Sequence, residues 1–87
     1  MAIESGQLTV TTSAQVVYTA DDDGAWIQIH NDAVTGSIFL GPAGVTASTG
    51  FHLDAKEEMG WMHIKAYDVI YAITDSGTVA LSWLAVT

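Results

Sequence analysis

The chain has 87 residues, 49% of them apolar, with one proline and no cysteine. That length supports a single domain over residues 1–87, and the absence of cysteine excludes a disulfide scaffold. Ten acids against Lys56 and Lys65 give a formal charge of −8, which sets aside nucleic acid and anionic membranes as partners, because both are bound through clustered Lys and Arg.

No apolar run approaches the roughly 20 residues of a spanning helix. Met1-Ala2-Ile3-Glu4-Ser5 has neither the basic nor the apolar region of a signal peptide. Residues 1–6 read as an extended N-terminal arm. A domain of this size hides only about two-thirds of the surface its unfolded chain exposes. It therefore needs a metal, a partner surface or an unusually apolar core.

Strand signals follow in chain order. Leu8-Thr9-Val10-Thr11 alternates apolar and polar, and Gln15-Val16-Val17-Tyr18 is β-branched and aromatic. Asp21-Asp22-Asp23-Gly24 is a turn. Ala25–Asn31 is a strong strand, with Ile27 and Ile29 on one face and Trp26, Gln28 and His30 on the other. Ser37–Leu40 is a short strand closed by Gly41-Pro42-Ala43-Gly44. Val45–Thr49 reads as a brief edge segment, and Phe51-His52-Leu53 as another strand.

Asp54–Met59 is too short for a stable helix and reads as a turn leading into a strand, Met59–Ile64. Lys65–Asp68 is a turn, Val69–Thr74 a strand, Asp75-Ser76-Gly77 a tight connection, and Thr78–Val86 the last strand. Val79, Leu81, Trp83 and Ala85 share one face of that strand. About eight short antiparallel strands without a helix predict an all-β fold, a small sandwich or jelly-roll-like barrel.

Several strands are apolar on both faces. Trp26 stands opposite Ile27, Phe39 between Ile38 and Leu40, Tyr71 opposite Ile70, and Leu84 opposite Trp83. A two-layer sandwich needs one buried face per strand, so the second face is read as a surface that meets another chain. Trp26, Phe39, Trp61 and Tyr71 are the interface candidates.

The chemistry-bearing residues assemble no motif. His30, His52 and His63, with His52-x-Asp54-x-x-Glu57, lack the spacing of a converging ligand set. Asp21–Asp23 lacks the spaced pattern of a calcium loop. No nucleophile motif is present. Neither catalysis nor a metal or other cofactor is expected.

The segment Leu8–Ala20 resembles the opening of many small β-rich structural proteins of tailed bacteriophages. Similar to them too is the later order: a strand ending at Asn31, Ile38-Phe39-Leu40-Gly41, Val45-Thr46, Gly50-Phe51-x-Leu53, Val69–Ile73 and Ser76-Gly77-Thr78-Val79. The resemblance implies a virion component without catalysis. It implies a capsid decoration (cement) protein that binds the major capsid protein on the capsid exterior, forms homo-oligomers such as trimers, and assembles in the host cytoplasm. The alternative is a tail or fibre module that binds host-surface carbohydrate through Trp61 and nearby acids. A metalloenzyme using His52, His63 and Asp54 is the third reading.

Overall fold

The computed structural model describes residues 2–87. In chain order the strands are β1 (Ile3–Val10), β2 (Gln15–Thr19), β3 (Ala25–Asn31), β4 (Ile38–Gly41), β5 (Phe51–Leu53), β6 (Met62–Ile64), β7 (Val69–Ile73) and β8 (Val79–Val86). Among the described residues there is no helix. The first strand pairs with the last, the second with the seventh, the third with the sixth and the fourth with the fifth. The chain is thus one long antiparallel hairpin rolled onto itself. Pairing of β3 with β8 and of β4 with β7 completes two sheets, β1-β8-β3-β6 and β2-β7-β4-β5. This is the jelly-roll order, in agreement with the all-β sandwich that the strand spacing predicts.

Alternation decides what enters the core. On β3, Ala25, Ile27, Ile29 and Asn31 point inward, while Trp26, Gln28 and His30 point out. On β8, Val79, Leu81 and Ala85 are buried, and Trp83 packs against them. The Trp83 indole lies across Gly6 of β1, where any Cβ would approach its Cζ2 to 2.7 Å. Its other neighbour is Tyr18 of the facing sheet, with ring centroids 5.0 Å apart.

Several boundaries differ from the expectation, most by one residue. The N-terminal segment is extended, but it is not a free arm: from Ala2 onward it is paired along the C-terminal strand. The last strand begins at Val79 rather than Thr78. Val45–Thr49 is not an edge segment. Val45 donates its N–H to Pro42 O (3.0 Å) and Gly50 to Thr46 O (2.9 Å), so the connection is two successive turns.

The expected strand Met59–Ile64 is shortened by a bulge. Asn31, His30 and Ile29 meet Glu57, Glu58 and Met59, whereas Ile27, Trp26 and Ala25 meet Met62, His63 and Ile64. Gly60 and Trp61 therefore both fall opposite Gln28, the extra residue that bends a bulged edge strand.

The sheets are pinned together at one end by two buried polar residues. Asn31, fully buried, donates from Nδ2 to the carbonyls of Gly36 and Leu53 (3.1 Å each) and accepts from Ala33 N (3.0 Å) at Oδ1. Since Leu53 belongs to β5, this side chain bridges the two sheets. Thr74 donates its hydroxyl to Ser37 O (2.8 Å) and its N–H to Thr11 O (3.0 Å).

Asn31→Ala leaves the buried Leu53 carbonyl and the part-buried Gly36 carbonyl and Ala33 N–H without their partner. It is expected to lower stability by about 3 kcal/mol, read as a fall in the urea midpoint at unchanged slope. A second expectation concerns alkaline pH. Burial, aided by the Glu4 and Asp21 carboxylates, raises the Tyr18 phenol above its ordinary 10.0. Between the ordinary and raised values the folded chain keeps a proton that the unfolded chain has released. This contribution is complete below about pH 10 and is lost as pH rises through the raised value. Tyr18→Phe is expected to flatten that loss in urea titrations across the alkaline range.

Candidate functional site

The end of the sandwich opposite Asn31 is open. Strands β5 and β6, the neighbouring edges of the two sheets, are three residues long each, too short to close the gap. Between them lies an apolar groove of about 650 Å³. Its floor is core: Leu40, Ile64 and Ile70, all buried. Its rim carries Phe51, Trp61 and Met62, exposed by 62%, 47% and 42%. The bulge at Gly60-Trp61 places the indole there, because in unbroken alternation Trp61 would follow Met59 inward.

Among the described residues, Asp68 is the one titratable group in the groove wall, and its Oδ2 accepts the Lys65 N–H across the β6–β7 turn (3.1 Å). The groove offers apolar contact rather than paired acid and base. Its volume lies within the ordinary range of ligand pockets, roughly 300–1,000 Å³.

The four interface candidates occupy three places. Trp26 stands on the outer face of the first sheet, 52% exposed, its ring 5.1 Å from His63 and edge-on to it. Phe39 and Tyr71 are half-buried on the outer face of the second sheet, with Phe39 stacked on His52 at 4.9 Å. Trp61 alone lines the groove. The structure does not gather the four into one patch.

What it does align is a row across the first sheet: Ile3, Val86, Trp26 and His63 are successive cross-strand neighbours. Phe51, Met62 and Ile3 were missed in the sequence. The one local signal was an aromatic set directly after a turn glycine, Gly50-Phe51.

The histidines separate. His52 Nε2 lies 2.8 Å from Asp54 Oδ1 on the second sheet's side, whereas His63 is on the outer face of the first. His52, His63 and Asp54 therefore do not converge. Two histidine–aspartate–serine clusters do form. Ser37 Oγ donates to Asp54 Oδ1 (3.1 Å). Ser82 Oγ donates to Asp32 Oδ1 (3.0 Å), which also holds His30 Nδ1. In both, serine bonds to the carboxylate and not to the imidazole, so the nucleophile–base contact of acyl transfer is not made. Asp21, Asp22 and Asp23 bring carboxylate oxygens within 4.8 Å of one another in an exposed turn, where Asp21 Oδ1 accepts the Asp23 N–H (2.9 Å).

No family model and no curated protein matches the chain. Among solved structures it is similar to a chain from work on Bacillus endospore appendages, described as forming a novel family of disulfide-linked pili. The TM-score is 0.59 at 11% identity, over 99% of this chain and 85% of that one. The two proteins share the fold of a small β-sandwich.

Trp61→Ala is expected to weaken binding of a neutral apolar dye such as Nile red several-fold. Because the residue is half exposed, the same change should move the urea midpoint little, equivalent to under about 1 kcal/mol. Fluorescence titration and denaturation of one sample check both.

Proposed function

We infer that the chain is a non-enzymatic structural protein that acts by adhesion, as a decoration protein bound to the major capsid protein on the outer surface of a tailed-phage capsid. The observation that supports this most is the apolar groove with Phe51, Trp61 and Met62 exposed on its rim. Large aromatic and sulfur-bearing side chains left in solvent at the mouth of a cavity are the usual anchors of protein interfaces.

The charge of −8 favours a site outside the shell, away from packaged nucleic acid. The phage assignment rests on the resemblance of Leu8–Ala20 and the later segments. The similar pilus chain is described as disulfide-linked. This chain has no cysteine, so disulfides do not join its copies, and weak contacts repeated over many copies on one particle add up.

A carbohydrate-binding tail module is the second reading, supported by the exposed Trp61 and Phe51, which could stack on a sugar ring. It is less well supported, because a sugar also needs several polar partners and Asp68 alone supplies a carboxylate to the groove wall. A glycan array separates the two: the decoration reading predicts no saccharide binding.

Purified protein is expected to co-sediment with capsids that lack it and to raise their resistance to heat. Phe51→Ala with Trp61→Ala should weaken that binding at least about tenfold. Capsids that neither bind the wild-type chain nor gain heat resistance would overturn the assignment.

A further inference from the structure

A four-plus-four sandwich has four edge strands, and an exposed edge is a template for another chain unless it is short, bulged, charged or covered. Here β5 and β6 have three residues each, and β6 leads out of the Gly60-Trp61 bulge. β2 has five and shifts register between Val16 and Tyr18. β1 is different. It runs unbroken for eight residues, Ile3–Val10, in continuous register with β8. It contains neither proline nor lysine, and most of it is exposed.

The direction of its free backbone groups follows from the pairing. Ala2 and Thr87 exchange two hydrogen bonds (3.1 and 2.9 Å). In an antiparallel ladder such pairs alternate with pairs that exchange none. Glu4, Gly6, Leu8 and Val10 therefore bond to β8, and Ile3, Ser5, Gln7 and Thr9 turn their N–H and C=O groups toward the open edge.

Charge names the occupant. Residues 5–20 and 76–87 contain no Asp, Glu, Lys or Arg. These two stretches hold β2, β8 and all of β1 after Glu4. In a chain of charge −8 this is the side on which two copies can meet without facing like charges.

We propose that β1 pairs antiparallel with β1 of a second copy across a two-fold axis at Gly6, joining two four-stranded sheets into one of eight strands. This register brings every outward residue into use: Ile3 meets Thr9 of the second copy, and Ser5 meets Gln7. Side chains stay on matching faces, since each paired position has the same parity. Glu4, the one charge on the strand, meets Leu8 rather than another Glu4. The symmetric contact closes on itself as a dimer, in place of the trimer that the phage resemblance implies. It does not depend on what the groove binds.

The test is the mass of the full chain in solution, by sedimentation equilibrium, for the wild type and three variants. Gln7→Pro removes one outward N–H and leaves the β8 ladder intact, a position where edge strands accept proline. Ser5→Asp with Gln7→Asp sets carboxylates opposite one another across the proposed axis. Gln7→Ala keeps the backbone donor.

The wild type and Gln7→Ala are expected at twice the 9.2 kDa chain mass. Gln7→Pro and the double aspartate are expected to be monomers with wild-type circular dichroism. Should the proline variant not fold, the double aspartate decides. A wild-type chain that stays monomeric at millimolar concentration, one that forms trimers, or a dimer that survives the aspartate pair would overturn the proposal.

Discussion

The sandwich depends on one buried amide. Asn31 is the residue at which β3 of one sheet grips β5 of the other, and it also holds the 32–37 connection through Gly36 and Ala33. Such a group is costly to bury unless its bonds are made, and here one of them, to Leu53 O, is made across the sheets, so the amide favours this relative placement. Thr74 holds the neighbouring Ser37 and Thr11 in the same way. The end so fixed is bridged by polar side chains. At the other end the β4–β5 connection is tied largely to itself, through Val45 to Pro42 and Gly50 to Thr46. Without a matching bridge to β6, the sheets part there and the groove remains.

The outer face of the first sheet repeats this polarity. Near the Asn31 end it carries Gln7, Ser82, His30 and, bonded to the last two, Asp32. Four residues further along β3, the same face carries Ile3, Val86, Trp26 and His63. Outward positions of an isolated sandwich are free to be polar at little cost to the fold. The hydrophobic half is therefore not explained by the core, and it lies at the end where the groove opens. Through β6 the two are continuous, His63 facing outward beside Trp26 and Met62 toward the groove.

The inner faces were legible because their signal is local. Period-two alternation on Ala25–Asn31 and Thr78–Val86 assigns each side chain to a face without knowledge of the partner strand. Strand order was not legible. The nesting of first with last and second with seventh arises from contacts between segments as far apart as Ile3 and Val86, and no short window contains it. Local propensity places the start of β1 at Leu8, because Glu4-Ser5-Gly6-Gln7 has little β-propensity; pairing with the apolar β8 overrides that preference. The edge segment at Val45 failed for a related reason. Its β-branched residue looked like strand, yet it is buried by packing over Gly41 and Gly50, where added Cβ atoms would come within 2.7 and 2.9 Å of its Cγ2. Of the site, Trp61 was legible as an aromatic without a committed face. The groove was not, since Leu40, Phe51, Met62 and Ile70 come from four strands.

The arrangement of charge links the fold to its surfaces. Nine of the ten acids and both lysines lie between residues 21 and 75, the span that contains β3 to β7 and the turns between them. In a rolled hairpin this middle span supplies the β5 and β6 edges, while the chain's two ends supply β1 and β8 and lie side by side. A contrast that is simply middle against ends in the sequence thus becomes one side against the other in space. Net negative charge on the side of the aromatic groove disfavours contact between copies there. The β1 edge carries a single carboxylate, Glu4, which leaves main-chain pairing there weakly opposed. One chain of 87 residues can in this way present two surfaces of different character, because the topology sorts its charges and the short, bulged edges leave only β1 long enough to pair.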